Sequence, residues 1–249
     1  MTSAATPLAG RVAVVLGATG WIGRGISRRL VDSGASVVLV ARDRDRLDGL
    51  ARELDAEERV LIVAADVTQS LDVDDVRAAS LDRFGHVDLV TVLSGVITGS
   101  AFEGGIPADW AEMIDVNLRG LLHSAQTFAE PLLDSARQGR AADLVLLGAV
   151  SEDAHEPRFA VFNAVSAAIT QLGRTLRDEY GPSGVRVHVL APEFPHPATE
   201  APGRDARAGR QQSPVTPESI AAVVALAAAL PAGVNLAEAV LLPTARRQR

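Results

Sequence analysis

Three glycines spaced G-x-x-G-x-x-G, at Gly17, Gly20 and Gly23, follow an apolar β-rich run and precede an amphipathic stretch. That order suits phosphate binding. Glycine lets the chain turn tightly and bring its backbone against a pyrophosphate, whose charge is met by N–H groups at the start of the following helix. On this reading Gly17, Thr19, Gly20, Trp21, Ile22 and Gly23 hold the phosphates. A dinucleotide also needs a group for its adenosine ribose about twenty residues further on, either a carboxylate for a free 2′-hydroxyl or an arginine for a 2′-phosphate. The second apolar run ends Val40-Ala41-Arg42, so Arg42 stands where a 2′-phosphate would, with no acid at the end of the run. Asp43 and the alternating charges after it read as the start of a solvated helix. The expected cofactor is therefore NADP(H) in preference to NAD(H).

Several other chemistries find no residues to perform them. All 24 basic residues are arginine, lysine is absent, and Tyr180 is the single tyrosine. The absence of cysteine rules out disulfides and thiolate metal sites and fits a reducing compartment. His86, His123, His155, His188 and His196 show no paired ligand spacing, so no metal site is expected. A net charge of −7 argues against nucleic-acid binding, which needs a basic face. The arginines from Arg246 to Arg249 read as a solvated end. Met1 to Ala9 has neither the basic start nor the apolar core of a signal peptide. Apolar runs elsewhere fall short of the roughly 20 residues a membrane helix needs. The expectation is a cytoplasmic protein that meets neither membrane nor nucleic acid.

The elements that must position the glycine loop follow from the pattern of apolar residues. Short β-rich runs alternate with longer periodic segments, as parallel strands joined by crossover helices do. Strands are expected at Arg11 to Leu16, Ser36 to Ala41, Val60 to Ala65, Leu89 to Val92, Asp143 to Leu147, Arg186 to Leu190 and Glu238 to Leu242. Helices are expected near Ile22 to Ser33, Asp43 to Leu54, Leu71 to Phe84, Ala108 to Ala136, Arg158 to Tyr180 and Pro217 to Leu230. These define an α/β protein of the Rossmann type: a doubly wound, seven-stranded parallel sheet with helices on both faces. No Pro/Gly/Ser-rich linker divides the chain, so residues 1–249 are read as one domain. The one long connection, about 192–215, is rich in Pro, Gly and Arg and is read as a mobile substrate lid.

With those residues in view, the chain resembles the short-chain dehydrogenase/reductase family from about Arg11 to Thr244. Asp66, in Ala65-Asp66-Val67-Thr68, matches the family's contact to the adenine ring, and Val67 follows it into the cofactor site. Gly95, Trp110 and Asn117 match family landmarks, and Val234-Asn235 to Pro243-Thr244 looks like a family terminus. The glycine spacing departs from the usual T-G-x-x-x-G-x-G and looks more like that of extended or atypical members.

The resemblance implies a tyrosine that gives a proton to a carbonyl oxygen while hydride arrives from the nicotinamide, and a lysine that binds the ribose and lowers the tyrosine pKa from about 10. Aligned on that helix, Phe162 takes the tyrosine place and Ser166 the lysine place, while Ala149 takes the serine place with Gly148 beside it. Of the usual four only Asn117 remains. No realignment restores the motif in a chain without lysine. Two further departures border the nicotinamide: Val92-Leu93-Ser94-Gly95 replaces N-N-A-G, and Pro192-Glu193 replaces P-G. Pro192 is retained as a cofactor contact, but the glycine after it becomes an acid.

Two functions remain open from the sequence. One is a diverged NAD(P)(H)-dependent oxidoreductase acting on a small carbonyl or hydroxyl compound with a non-standard acid or base. Substitutes for that role are His155, Asp153, Glu152, Ser94, Glu193 or His196. The other is a catalytically inactive homologue serving as a cofactor sensor or partner subunit. A third, minor reading is that the pocket binds no dinucleotide. Family members usually pair through the fourth and fifth helices, and the Ala-rich face from Ala160 to Ala168 suits close packing. The resemblance thus implies a homodimer or homotetramer, or assembly with an active relative.

Overall fold

Strand β1 (Val12–Leu16) sends alternate side chains to opposite faces of the sheet, and both faces are covered. Ala13 and Val15 enter one apolar layer and Val12, Val14 and Leu16 the other. β2 (Ser36–Ala41) divides the same way, with Val37 and Leu39 on one side and Val38 and Val40 on the other. A strand buried on both faces reads as a continuous apolar run, which is why these segments are Val-rich throughout.

The computed structural model describes residues 6–149, 157–193 and 215–244. The remaining strands are β3 (Val60–Ala64), β4 (Leu89–Val92), β5 (Ala142–Leu147), β6 (Val185–Pro192) and β7 (Glu238–Leu241). They form one seven-stranded sheet in the order β3-β2-β1-β4-β5-β6-β7, every pair parallel. The order reverses between β1 and β4, and open parallel sheets bind ligands at such a switch point, beyond the carboxyl ends of the strands. The expected architecture is the observed one.

Helices α1 (Trp21–Asp32), α2 (Arg44–Leu54) and α7 (Pro217–Ala229) cover one face through Ile26, Leu30, Leu47, Leu50, Ile220 and Val224. Helices α3 (Ser70–Phe84), α5 (Gly120–Arg137) and α6 (Ala160–Tyr180) cover the other, with Val76, Phe128, Leu132 and Ile169 in that layer. α2 starts on Asp43, whose carboxylate accepts the Arg46 backbone N–H, so Asp43 begins a helix as expected.

The single helix expected from Ala108 to Ala136 is instead three pieces. α4 (Pro107–Ile114) runs into a π-helical turn at Asp115–Arg119 before α5 continues. The apolar spacing carries through the turn, so periodicity alone joins the pieces. The expected helix at Arg158 starts two residues later, at Ala160, because Arg158 has a φ of 77°. Strand ends at Ala65 and Leu242 retract to Ala64 and Leu241, while the strand expected at Arg186 to Leu190 extends to Val185–Pro192. Most of the connection read as a lid, 194–214, lies outside the described residues, as does the arginine tail. No helix among the described residues is long and apolar enough to cross a membrane.

Candidate active site

At the end of β1 the chain turns at Gly17, whose φ of +93° lies in the left-handed region. A Cβ there would sit 2.9 Å from the Ser94 backbone nitrogen, so the residue is glycine for space as well as for conformation. The Gly17 and Ala18 N–H groups donate to the Val40 carbonyl at 2.9 and 3.0 Å, fastening the loop to β2. Gly23, the third residue of α1, lies so close to the loop that a Cβ would be 2.1 Å from the Gly17 carbonyl oxygen.

The start of α1 is left open. Its N-cap, Gly20, has no side chain to accept a bond from the helix, and its first turn carries no acid. The first N–H groups of a helix have no partner within it, so a positive helix end faces the adjoining space. That space is a cavity of about 380 Å³. Gly17, Gly20, Trp21, Ile22 and Gly23 form one end of it.

The other end is apolar. Leu147 and Gly148 at the end of β5, and Phe162, Val165, Ser166 and Ile169 on one face of α6, make its floor. The wall is the strand-end segment from Leu93 through Ser94, Gly95 and Val96 to Ile97, with Asn117 behind it. Phe162 and Ala149, 7% and 6% exposed, form a cluster with Met113 and Phe159, against which Val96, Ile97 and Trp110 pack. Trp110 also stacks on the exposed ring of Phe102, with centroids 5.2 Å apart. Ser166 is buried on the floor, and a Cβ on Gly148 would have ordinary room, 3.7 Å from its nearest neighbour.

Asn117 sits in the π-helical turn and faces Val96. Its Oδ1 accepts the Val96 N–H at 2.7 Å and its Nδ2 donates to the Val96 carbonyl at 2.8 Å. The side chain thus spends its amide on holding the cavity wall. A π turn places an extra residue in the helix and turns a side chain that regular periodicity would have aimed elsewhere.

The remaining candidates lie around the cavity and not in its lining. Thr19 is buried in the glycine loop. Arg42 is exposed at the end of β2. Asp66 closes a tight turn, its carboxylate accepting the Thr68 N–H and hydroxyl at 2.9 and 2.8 Å, with buried Val67 beside it. Pro192 ends β6 opposite Leu241. Tyr180 ends α6, eighteen residues from Phe162 and so about 27 Å along the helix. Burial, and then the charge of Glu179, raises its phenol above the ordinary value. His155, Asp153, Glu152 and His196 lie outside the described residues. No group of three metal-binding side chains occurs among the described residues.

One contact escaped the sequence reading: Arg46, in the first turn of α2, donates from Nη2 to the Thr19 carbonyl at 2.8 Å. Arg44 and Asp45 share that first turn, so nothing in the sequence singles Arg46 out.

A doubly wound sheet with an open helix end and a cavity at its switch point is the arrangement in which open α/β proteins bind ligands. The family model for short chain dehydrogenases matches residues 11–206, and the chain belongs to that family. It is 32% identical over 233 residues to an uncharacterised oxidoreductase of Staphylococcus epidermidis, covering 94% of this chain and 97% of that one. A metagenomic short-chain oxidoreductase in complex with NADP superposes with a TM-score of 0.80 at 26% identity, covering 96% of this chain and all (100%) of that one. A 3-ketoacyl-(acyl-carrier-protein) reductase from Brucella melitensis, complexed with NADH, does so with a TM-score of 0.78, also at 26% identity, over 93% of this chain and 97% of that one.

Proposed function

We propose that this chain binds NADP(H), in preference to NAD(H), and is a diverged oxidoreductase of its family whose proton chemistry does not use the tyrosine and lysine of its relatives. The observation that carries the reading is the cavity itself, which joins the open start of α1 to a floor made of Phe162, Val165, Ser166 and Ile169. Gly17, Thr19, Gly20, Trp21, Ile22 and Gly23 receive the pyrophosphate. Arg42 meets the 2′-phosphate and Asp66 with Val67 the adenine. Gly95 and Pro192 border the nicotinamide, whose bound form supplies the hydride.

On this floor Phe162 has no proton to give and Ser166 no charge to lend. The substrate is a small carbonyl or hydroxyl compound held against the apolar wall of Val96, Ile97 and Phe162. Asn117 keeps that wall in place. A second reading is favoured by the packing of Phe162 with Met113, Ala149 and Phe159: an inactive homologue that senses the dinucleotide or partners a relative. Its docking face is the outward side of α6, where Ala160, Ala164, Ala167 and Ala168 are exposed.

Titration of nicotinamide and tryptophan fluorescence with NADPH and NADH tests binding. Saturable binding with NADPH tighter is expected, and no saturation with either dinucleotide ends the proposal. NADPH consumption across a panel of aldehydes and ketones then separates the two readings. Turnover supports the enzyme. Binding without turnover, together with a dimer or mixed oligomer by light scattering, supports the sensor.

A further inference from the structure

His188 lies inside β6, wholly buried, and both of its ring nitrogens meet an oxygen. Nε2 is 2.8 Å from Asp143 Oδ1, and Nδ1 is 2.8 Å from the Leu236 carbonyl oxygen. A carbonyl only accepts. Asp143 accepts as well: Arg186 donates to it at 2.7 and 2.9 Å and Arg11 at 2.6 Å, so it is a carboxylate with no proton to give. A neutral imidazole has one N–H and one lone pair, and would set the lone pair against one of these oxygens. Only the doubly protonated ring satisfies both. Burial works against that charge, and the Asp143 carboxylate at hydrogen-bond distance offsets it.

The charged groups around the ring are tied to other partners. Arg186, two residues earlier on the same face of β6, also donates to the carbonyls of Leu230, Pro231 and Val234. Arg11 bridges Asp143 to Asp88, and His86 stands 3.2 Å from Asp88 with its side chain 24% exposed. From α6, Arg177 donates to the Val187 and Ala237 carbonyls, and Arg174 pairs with Glu238 at the start of β7. Leu236 belongs to the connection between α7 and β7, and β7 is an edge strand paired with β6 alone.

We propose that His188 is a buried imidazolium whose second proton clasps the α7–β7 connection to β6, so that pH sets how firmly the edge strand docks. The inference stands apart from the dinucleotide reading. When the Nδ1 proton leaves, a lone pair faces the Leu236 oxygen and the connection moves off the strand, while Nε2–H keeps the ring on Asp143. Above the ordinary imidazole value of about 6.5 the unfolded chain has released this proton and the folded chain still holds it. Stability therefore falls as pH rises through that range, and the fall ends once the folded chain releases the proton too.

The test is urea denaturation from about pH 6 to about pH 9 for the wild type, His188→Asn and His188→Gln. Asn keeps a donor near the Nδ1 place and Gln near the Nε2 place, and neither titrates. The folding equilibrium constant of the wild type, divided by that of either variant, should fall by about tenfold for each pH unit while only the folded chain holds the proton. A ratio that stays constant overturns the proposal. Hydrogen exchange of the wild type alone, corrected for the intrinsic base-catalysed rate, gives a reading that does not depend on the variants folding. Residues 236–241 should lose protection as pH rises while β5 keeps it, and unchanged protection at 236–241 overturns the clasp.

Discussion

Gly23 and Phe162 mark the two ends of the cavity and carry opposite lessons about what a single residue does. At Gly23 a methyl group would lie 2.1 Å from the Gly17 carbonyl, and nothing in that loop is a flexible side chain that could yield. Gly23→Ala is expected to cost about 1–3 kcal/mol by overpacking, read by urea denaturation, and to abolish saturable NADPH binding. A variant with wild-type affinity would mean the phosphates do not sit on this loop. At Phe162 the position tolerates more, because the ring borders open space. The triple change Ala149→Ser, Phe162→Tyr and Ser166→Lys places a phenol, an ammonium and a hydroxyl where the resemblance puts them. A general acid is worth roughly a hundred- to ten-thousand-fold in rate, so NADPH-dependent reduction of a simple aldehyde should rise at least about tenfold over the wild type even with imperfect placement. No gain in a variant that still binds NADPH would count against a nicotinamide lying over Phe162.

Between those ends, the elements decide what the residues can reach, and here the π-helical turn matters most. Asn117 holds both polar groups of Val96, so Asn117→Ala leaves a half-buried N–H and carbonyl without their partner, at a cost of about 1 kcal/mol. The same change frees the Gly95–Ile97 wall, and NADPH affinity should fall along with the denaturation midpoint. If stability drops while affinity holds, the wall is not part of the cofactor site. The strands, their parallel direction and the glycine turn were legible in the sequence, because a doubly buried strand must be apolar throughout and a turn with the φ of Gly17 and the close approach of Gly23 must be glycine. The π turn was not. Met113, Leu121 and Phe128 keep helical spacing well enough across it that periodicity reads one unbroken helix. The Arg46 contact was hidden for a different reason: it joins residues from two elements, and only the folded corner brings them together. The same holds for Asp88, Asp143 and Arg186, which the pattern reads merely as strand edges.

On the scale of the whole molecule, those last residues close the pole of the sheet opposite the cavity. Arg11 of the β1 edge bonds Asp88 at 2.5 Å and Asp143 at 2.6 Å. Arg186 on β6 holds the Asp143 carboxylate through two bonds at 2.7 and 2.9 Å, and His188 reaches it at 2.8 Å. The same arginines and His188 bond the carbonyls of Ala228, Leu230 and Leu236, tying the α7–β7 connection to four strands. Burial alone would raise the Asp143 carboxyl, but the hydrogen bonds from His188 and Arg186 and the charge of Arg11 outweigh it and hold its pKa below the ordinary value. At Asp88 burial prevails over Arg11, and the pKa rises. The two acids therefore act with opposite sign. A depressed folded pKa contributes stability that is present above the unfolded value of about 3.9 and is lost as pH falls through that range. A raised one contributes at low pH and fades as pH climbs through it. Asp143→Asn should thus cost about 3–5 kcal/mol at neutral pH, since it leaves buried cations without their partner. The gap between variant and wild type should narrow as the solution is acidified below the ordinary carboxylate range. Urea denaturation across that interval reads both the size and the slope. A gap that stays constant with pH would show that Asp143 acts through packing and not through its charge, and the pole would then be a structural plug rather than an electrostatic tie.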